Sequence, residues 1–329
     1  MGLKKPLEVK LQITEKCNYS CNFCFNRQGN PKTSSEMPKE TAKKIISKLA
    51  LEGIEKVRFT GGEPLLHPNL FELVSFAKSK GLSTMLNTNL SLLPKSKAKK
   101  LGQTCGNILV SLHSLSLNSK VVESIKALGK EACFLRAATI LTKDNILQLE
   151  KFHALIEKLP FSQWVLLRQI PNSLNKEPVS RKDMEKAVEK ITAINASRPK
   201  KEHFLIENAL PFCCSNPEKV SRACLGGMHE DGHSNLFVDT LGTIKPSYFL
   251  DIKLANSAEN SFLDAWNSDF MKRMNSLEFI AEPCHKCKHV LKCMSGSRFS
   301  ALFTSKSLYA LDPLAFPSEY AEELFPPQK

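Results

Sequence analysis

From residue 8 to about residue 200, short segments typical of β-strands alternate with longer segments that have helical periodicity. Repeated strand–helix units of this kind form a parallel sheet covered by helices. The pattern therefore predicts an α/β fold, a partial parallel (β/α) barrel of about six strands. We predict the strands at 8–14, 56–60, 82–86, 108–112, 133–141 and 164–170. We predict helices at 38–51, 69–79, 119–128, 145–159 and 181–196, and a further lysine-rich helix that contains residues 95–100.

The composition changes beyond about residue 205. Helical periodicity weakens there, and Cys, Gly, Pro and His become frequent, as in Cys213-Cys214 and in the run from Cys284 to Cys287. Small cysteine-rich regions of this kind are commonly held together by a metal. We therefore predict two domains, a barrel over residues 1–205 and a small cysteine-rich α+β domain over residues 206–329.

The chain has 11 cysteines and lacks both a secretory signal segment and an apolar run long enough to span a membrane. We therefore expect a cytoplasmic protein with no membrane partner, whose thiols stay reduced and are candidates for metal ligands. The net charge of +13 would permit a nucleic-acid partner. The lysine-rich segment 95–100 has no interleaved aromatic residues, which favours a solvated surface instead. Nucleic-acid binding is therefore not our main prediction.

Three thiols lie within eight residues, directly after the first predicted strand. They are Cys17, Cys21 and Cys24, spaced as C-x3-C-x2-C. A structural zinc site needs four closed ligands, and no fourth Cys or His lies nearby in the sequence. Three thiolates on a four-iron cluster leave one iron open, and the amine and carboxylate of an amino acid can chelate it.

This cysteine spacing, with Gly61-Gly62-Glu63-Pro64 after the second predicted strand, resembles the radical S-adenosylmethionine (SAM) superfamily. The resemblance implies that Cys17, Cys21 and Cys24 hold a catalytic 4Fe-4S cluster. It also implies that this cluster reductively cleaves SAM and that the resulting 5′-deoxyadenosyl radical abstracts hydrogen from a substrate. An external one-electron donor, such as ferredoxin or flavodoxin, is expected.

The same resemblance implies residues that bind SAM. Aromatic side chains would pack on the adenine, the glycine-rich motif and its carboxylate would take the methionine amino group, and polar side chains at strand ends would hold the ribose and carboxylate. For Asn87, Asn89, Ser111 and Arg136, the alternative to binding SAM is a structural role as a strand-end cap or in an interior ion pair. The residues are Phe23 and Phe25 for the adenine, Gly61, Gly62, Glu63 and Pro64 for the amino group, and Asn87, Asn89, Ser111 and Arg136 at the strands.

A second cysteine group, Cys284-x2-Cys287-x5-Cys293, resembles the SPASM and twitch extensions of radical SAM enzymes. The resemblance implies an auxiliary 4Fe-4S cluster, although thiolate spacing alone does not separate iron–sulfur from zinc. Three positions where that family has further cysteines are different here, so we expect one auxiliary cluster and not two. Those positions are Ser247, Ser297 and Ala315. For the fourth ligand we predict Cys224, with Cys214 and Cys213 next and His285 and His289 also within reach in the sequence.

The C-terminal pattern, with Gly296-Ser297-Arg298 after the last cysteine, resembles that of peptide maturases, which implies a peptide or protein side chain as the substrate. A tetrapyrrole or other small-molecule cofactor is the alternative, as in the alternative haem pathway. A zinc-ribbon nucleic-acid-binding protein is an alternative of another class, and it leaves the glycine motif and the three-cysteine site unexplained. The first strand begins by residue 8, so we expect no leader-peptide-binding domain in front of it.

Overall fold

The fold is organised around a ten-stranded sheet in a computed structural model, which describes residues 3–25, 35–174, 178–198, 204–227 and 232–325. Seven strands are parallel and follow one another across the sheet in chain order. They are β1 (Glu8–Thr14), β2 (Lys56–Gly61), β3 (Ser83–Thr88), β4 (Asn107–Ser111), β5 (Phe134–Leu141), β6 (Gln163–Arg168) and β7 (Leu205–Ile206). The predicted parallel α/β architecture is confirmed. The two-residue β7 was not predicted, because it is too short to show a periodicity.

Helices connect these strands. They are α1 (Lys39–Leu51), α2 (Leu70–Ser79), α3 (Lys95–Thr104), α4 (Ser119–Leu128), α5 (Lys143–Leu147), α6 (Leu149–Ile156) and α7 (Arg181–Ala196). The single helix predicted at 145–159 is two helices, because the backbone at Gln148 leaves the helical region, with φ −114° and ψ 15°. The first of the two begins earlier than predicted, since the Thr142 hydroxyl accepts from the Asn145 amide and caps it.

Residues beyond 206 extend the same sheet. Strand β8 (Asn235–Val238) lies parallel beside β1, and β9 (Thr243–Lys245) and β10 (Ala255–Asn256) follow as antiparallel neighbours. The remaining helices are α8 (Pro217–Ala223), α9 (Phe262–Trp266), α10 (Asp269–Asn275), α11 (Val290–Cys293), α12 (Arg298–Ser305) and α13 (Ala321–Leu324). Short 3-10 turns occur at Pro64–Leu66, Phe212–Cys214, Glu282–Lys286 and Pro317–Tyr320. The two predicted domains thus share one sheet, and their division near residue 205 stays a prediction.

Alternation along β1 separates the core from the barrel interior. Val9, Leu11 and Ile13 are fully buried against the helical layer, and burying an aliphatic side chain of this size contributes roughly 1.5–3 kcal/mol. A shift of one residue would move these three side chains to the other face, so their burial fixes the register of the strand. Glu8 and Lys10 are thereby placed on the opposite face, where they line a large cavity.

Candidate active site

A cavity of about 840 Å³ runs along the inner face of the parallel strands and reaches their carboxyl ends. It is lined by all but one of the residues that the sequence predicted for the first cluster and for SAM. The exception is Pro64, which is buried in the turn after the glycine motif. The predicted residues that line the cavity are Cys17, Cys21, Phe23, Cys24, Phe25, Gly61, Gly62, Glu63, Asn87, Asn89, Ser111 and Arg136.

The cysteine loop leaves β1 and turns across the end of the sheet. Cys17 is exposed, and Cys21 and Cys24 are half-buried. Within the loop, the Cys24 amide donates to the carbonyl of Cys21 at 3.2 Å. The Asn89 side-chain NH₂ donates to the Asn18 side-chain oxygen at 3.1 Å, and the Asn18 side-chain NH₂ donates to the hydroxyl of Ser91 at 2.8 Å. Asn89, predicted as a ribose contact, therefore ties the cysteine loop to the residues after β3.

The glycine motif packs against the chain that leads into the cysteine loop. The Gly62 amide donates to the Thr14 carbonyl at 2.8 Å, and the Glu63 amide donates to the Lys16 carbonyl at 2.7 Å. A Cβ on Gly61 would lie 2.2 Å from the Thr14 carbonyl oxygen, and one on Gly62 would lie 2.1 Å from that of Lys16. The glycines are needed here because backbone approaches backbone, whereas the resemblance implied only a contact between the motif and the methionine amino group.

The Glu63 carboxylate is buried and accepts hydrogen bonds from three protein donors. They are the Thr88 hydroxyl at 2.6 Å, the Asn89 amide at 2.7 Å and the Leu65 amide at 3.0 Å. Burial raises the pKa of the Glu63 carboxyl, and these three hydrogen bonds oppose that rise. The carboxylate therefore joins the glycine motif to the end of β3, a role that the predicted contact to an ammonium group did not include.

Aromatic residues from distant parts of the chain meet at the cavity. The Phe23 ring lies edge-on to His113, with centroids 5.0 Å apart. Phe25 instead packs against Phe249 and Phe299, at 5.0 Å and 4.8 Å between centroids, and beside Tyr248 at 5.8 Å. The C-terminal region thus covers one side of the cavity, which the sequence did not show.

His113 also lines the cavity and was not among the predicted site residues. Its Nδ1 accepts from the Ile140 amide at 3.2 Å, and burial lowers the pKa of the imidazole to about 4. The ring is therefore neutral at pH 7. Its position directly after β4, like that of the predicted Ser111, was the available signal.

Two ion pairs occupy the inner face of the sheet within the cavity. The Arg58 guanidinium contacts both carboxylate oxygens of Glu8, at 2.6 and 3.0 Å, and donates to the Asn87 side-chain oxygen at 3.1 Å. Arg136 pairs with Glu207 and donates to Gln163 at 2.7 Å. Asn87, predicted to contact the ribose, thus accepts a hydrogen bond from Arg58. Arg136, predicted to contact the methionine carboxylate, lies in an interior ion pair, which is the alternative that the sequence left open. Other residues that line the cavity and were not predicted include Lys10, Lys56, Arg168, Asn208 and Leu225.

The second cysteine group lies at a separate, smaller cavity of about 20 Å³. Cys284, Cys287 and Cys293 line it together with Cys213, which comes from the Phe212–Cys214 turn. The predicted fourth ligand, Cys224, does not line this cavity. Its sulfur accepts from the Gly226 amide at 3.3 Å and lies 3.7 Å from the Asn208 carbonyl oxygen, so its contacts are with residues outside this cavity.

The other candidates near this cavity have different surroundings. Cys214 belongs to the buried core around β5 to β7. His285 is exposed and lies 3.9 Å from Glu282, and His289 stacks edge-on against Phe212. Neither histidine lines the cavity.

The two serines at expected cysteine positions have local structural roles. The Ser247 hydroxyl accepts from the amides of Phe249 and Leu250, both at 3.1 Å, and closes a turn. The Ser297 hydroxyl accepts from the Ser300 amide at 3.2 Å and caps α12. As placed in the described ranges, no three His, Cys, Asp or Glu side chains converge on the position of one metal ion. The thiols of both groups surround cavities instead.

Comparison with known proteins matches this geometry. A model of the Radical SAM superfamily matches residues 11–153. AdoMet-dependent heme synthase of Oleidesulfovibrio alaskensis is 22% identical over 342 residues, which cover 93% of this chain and 86% of that protein. PqqA peptide cyclase of Gluconobacter oxydans is 23% identical over 350 residues, which cover 97% of this chain and 93% of that protein.

A solved structure has a similar fold. Streptococcus suis SuiB bound to S-adenosylmethionine has a TM-score of 0.77 at 19% identity, covering 95% of this chain and 78% of SuiB. SuiB bound to the precursor peptide SuiA has a TM-score of 0.76 at the same identity, covering 94% of this chain and 75% of SuiB.

The chain carries a domain of the Radical SAM superfamily at residues 11–153 and is an iron–sulfur enzyme. The family predicted from the cysteine spacing and the glycine motif is confirmed, and SAM and a 4Fe-4S cluster are its cofactors. Among the helices that the structure describes, none is both long and apolar enough to cross a lipid bilayer.

Proposed function

We propose that this protein is a radical SAM maturase, which generates a 5′-deoxyadenosyl radical in the large cavity and abstracts hydrogen from a side chain of a peptide or protein. The observation that carries the proposal is the cavity itself. It places three thiols and the glycine motif on the wall of one space of about 840 Å³. Ligand sites in proteins commonly measure about 300–1,000 Å³, so this space is large enough for a cofactor together with part of a substrate.

Cys17, Cys21 and Cys24 would hold the catalytic cluster. The donor set fits, because these three thiols lie on one short loop and are the cysteines that line the large cavity in the described residues. Thiolate is the ligand that iron–sulfur clusters use, and three of them leave one iron available to SAM. When bound, this cofactor pair supplies a carbon-centred radical.

The chain's own residues would hold SAM and shield it from water. Phe23 and His113 form one wall, and Tyr248 and Phe249 close the side contributed by the C-terminal region. Ser111 at the end of β4 is exposed and lines the cavity, which suits its hydroxyl to contact a ligand. Glu63 and Asn89 would act by positioning the glycine motif and the cysteine loop.

A peptide substrate is favoured by two relatives. PqqA peptide cyclase aligns with 97% of this chain, and SuiB, of similar fold, has been solved with the precursor peptide SuiA. AdoMet-dependent heme synthase aligns with 93% of the chain, so a tetrapyrrole is the second candidate substrate. The inner-face arginines do not add support for a substrate bearing carboxylates, because Arg58 and Arg136 are already paired with Glu8 and Glu207.

Two further components belong to the proposal. An external one-electron donor, such as ferredoxin or flavodoxin, would reduce the first cluster, and the net charge of +13 would favour encounter with an acidic donor protein. A second 4Fe-4S cluster would be bound in the C-terminal region by Cys284, Cys287 and Cys293, whose thiols face a common cavity.

The test starts with anaerobically purified protein, reduced with dithionite and supplied with SAM. We expect 5′-deoxyadenosine and methionine to form, and the variant with Cys17, Cys21 and Cys24 all changed to Ala to form neither. That variant should retain about half of the iron, because only the first of two clusters is lost. Full 5′-deoxyadenosine formation by the triple variant would refute the assignment of the three thiols.

The substrate is tested separately. Synthetic peptides encoded beside the gene are compared with an iron–coproporphyrin as substrate, and products are identified by mass spectrometry. A peptide product that has lost hydrogen supports the maturase, whereas turnover of the tetrapyrrole alone would replace it by the second candidate.

A further inference from the structure

The small cavity in the C-terminal region is lined by four cysteines from two separate segments. Cys284, Cys287 and Cys293 come from the turn and helix at 284–293, and Cys213 comes from the Phe212–Cys214 turn some 70 residues earlier. The two segments touch directly, since the Phe212 amide donates to the Cys293 sulfur at 3.4 Å. Cys213 therefore faces the other three thiols across the cavity.

Hydrogen-bond donors are already directed at three of these sulfurs. Besides the Phe212 amide on Cys293, the His289 amide donates to the Cys287 sulfur at 3.4 Å and the Ser295 hydroxyl donates to the Cys284 sulfur at 3.2 Å. Donors of this kind stabilise a thiolate more than a thiol, and they orient metal-ligating cysteines. The three donors are thus placed to orient sulfur atoms that bind a metal.

The segment that follows Cys293 supplies no fourth thiol to the cavity at Ala315, so such a thiol has to come from another part of the chain. Ala315, one of the three positions where the SPASM resemblance led us to expect a cysteine, also lines this cavity. Its side chain offers no ligand atom, and neither Cys224 nor Cys214 lines the cavity. Cys213 is the remaining cysteine at the cavity among the described residues.

We propose that Cys213 is the fourth ligand and that it completes a closed four-thiolate metal site with Cys284, Cys287 and Cys293. A metal centre with four protein thiolates has no open coordination position, in contrast to the three-thiol site of the large cavity. The second site would therefore not bind substrate directly. The proposal rests on the proposed function only in requiring that this site binds metal.

The experiment measures metal in a background that lacks the first cluster, the Cys17, Cys21 and Cys24 to Ala variant. Iron, sulfide and zinc per chain are determined together with the electron paramagnetic resonance signal after reduction. We expect about four irons per chain in the background. Cys213→Ala should lose at least half of this iron and change the signal. The matched control, Cys224→Ala, removes a thiol of similar burial and should leave both unchanged.

Folding and ligation are separated by a second variant and a second measurement. Cys213→Ser keeps the size of the side chain, and it should change the signal while the far-ultraviolet circular dichroism stays that of the background. Unchanged iron and signal in Cys213→Ala would overturn the proposal, as would loss of both in Cys224→Ala alone. A background protein that holds neither iron nor zinc would also overturn it.

A zinc result has a different meaning. One zinc per chain, lost in Cys213→Ala and kept in Cys224→Ala, would support the four-thiolate site and overturn the second cluster of the proposed function. The two proposals therefore fail separately.

Discussion

Glu63 allows a direct test of whether the glycine motif is held by its own carboxylate. In Glu63→Gln the side chain keeps its shape, but an NH₂ group replaces one of the two oxygens that accept from Thr88, Asn89 and Leu65. At least one donor then meets another donor inside the protein. A hydrogen bond to a charged group contributes roughly 1.5–3 kcal/mol, and we expect a loss of stability of that size.

The assay is thermal unfolding in the absence of SAM. At about 2 °C per kcal/mol for a chain of this length, Tm should fall by roughly 3–6 °C. Because the carboxylate also holds Asn89, which holds the cysteine loop through Asn18, iron in the first site should decrease as well. The exposed Glu123→Gln is the matched control and should change neither quantity.

If Glu63 served only to bind the SAM ammonium group, Glu63→Gln would give the opposite result. SAM affinity would then fall by about one to two decades, while Tm and iron content stay unchanged. That pattern would refute the reasoning from the three hydrogen bonds.

Three further perturbations address other parts of the structure. Gly62→Ala would place a Cβ 2.1 Å from the Lys16 carbonyl oxygen and displace the chain that leads into the cysteine loop. Metal analysis should therefore show that iron is lost from the first site, and iron at the level of the wild-type protein would contradict the packing. His113 has a pKa lowered from 6.5 to about 4, so the folded state binds fewer protons and stability should rise by up to about 3 kcal/mol from pH 4 to 6.5. His113→Gln should flatten that dependence in denaturant titrations, and an identical slope would count against it. Asp312→Asn removes the charge partner of the buried Arg168 and should lower the free energy of unfolding by about 3–5 kcal/mol, determined from denaturant titrations. A decrease below about 1 kcal/mol, the value of an exposed pair, would argue against the buried ion pair.

Most of the fold was predictable because its signals are local. Strand β1 and helix α7 have the bounds that periodicity predicts, and the capping box of Ser180 with Asp183 shows why α7 begins where it does. Strands β7 and β8 were not predicted, since two and four residues are too few for a period and their pairing depends on partners far along the chain.

The candidate site was predictable where function depends on spacing along the sequence. The cysteine loop and the glycine motif were found in that way, and both line the large cavity. The side-chain roles were harder, because Glu63 and Arg136 can serve a ligand or a protein partner equally well in sequence. The meeting of Cys213 with the cysteines of 284–293 has no local signal at all, since it depends on tertiary folding.

The pairing of β8 with β1 affects how the protein could be divided for experiments. If residues beyond 206 were removed, β1 would keep β2 but lose β8, and it would expose the amide and carbonyl groups that now bond to residues 235–238. Unpaired edges of this kind recruit other chains and promote aggregation. Phe262 and Trp266 would leave the core around β1 to β4 at the same time, opening it to water. A truncated barrel should therefore be poorly soluble when expressed alone, and fragments for mapping partners are better cut within loops that leave this edge covered.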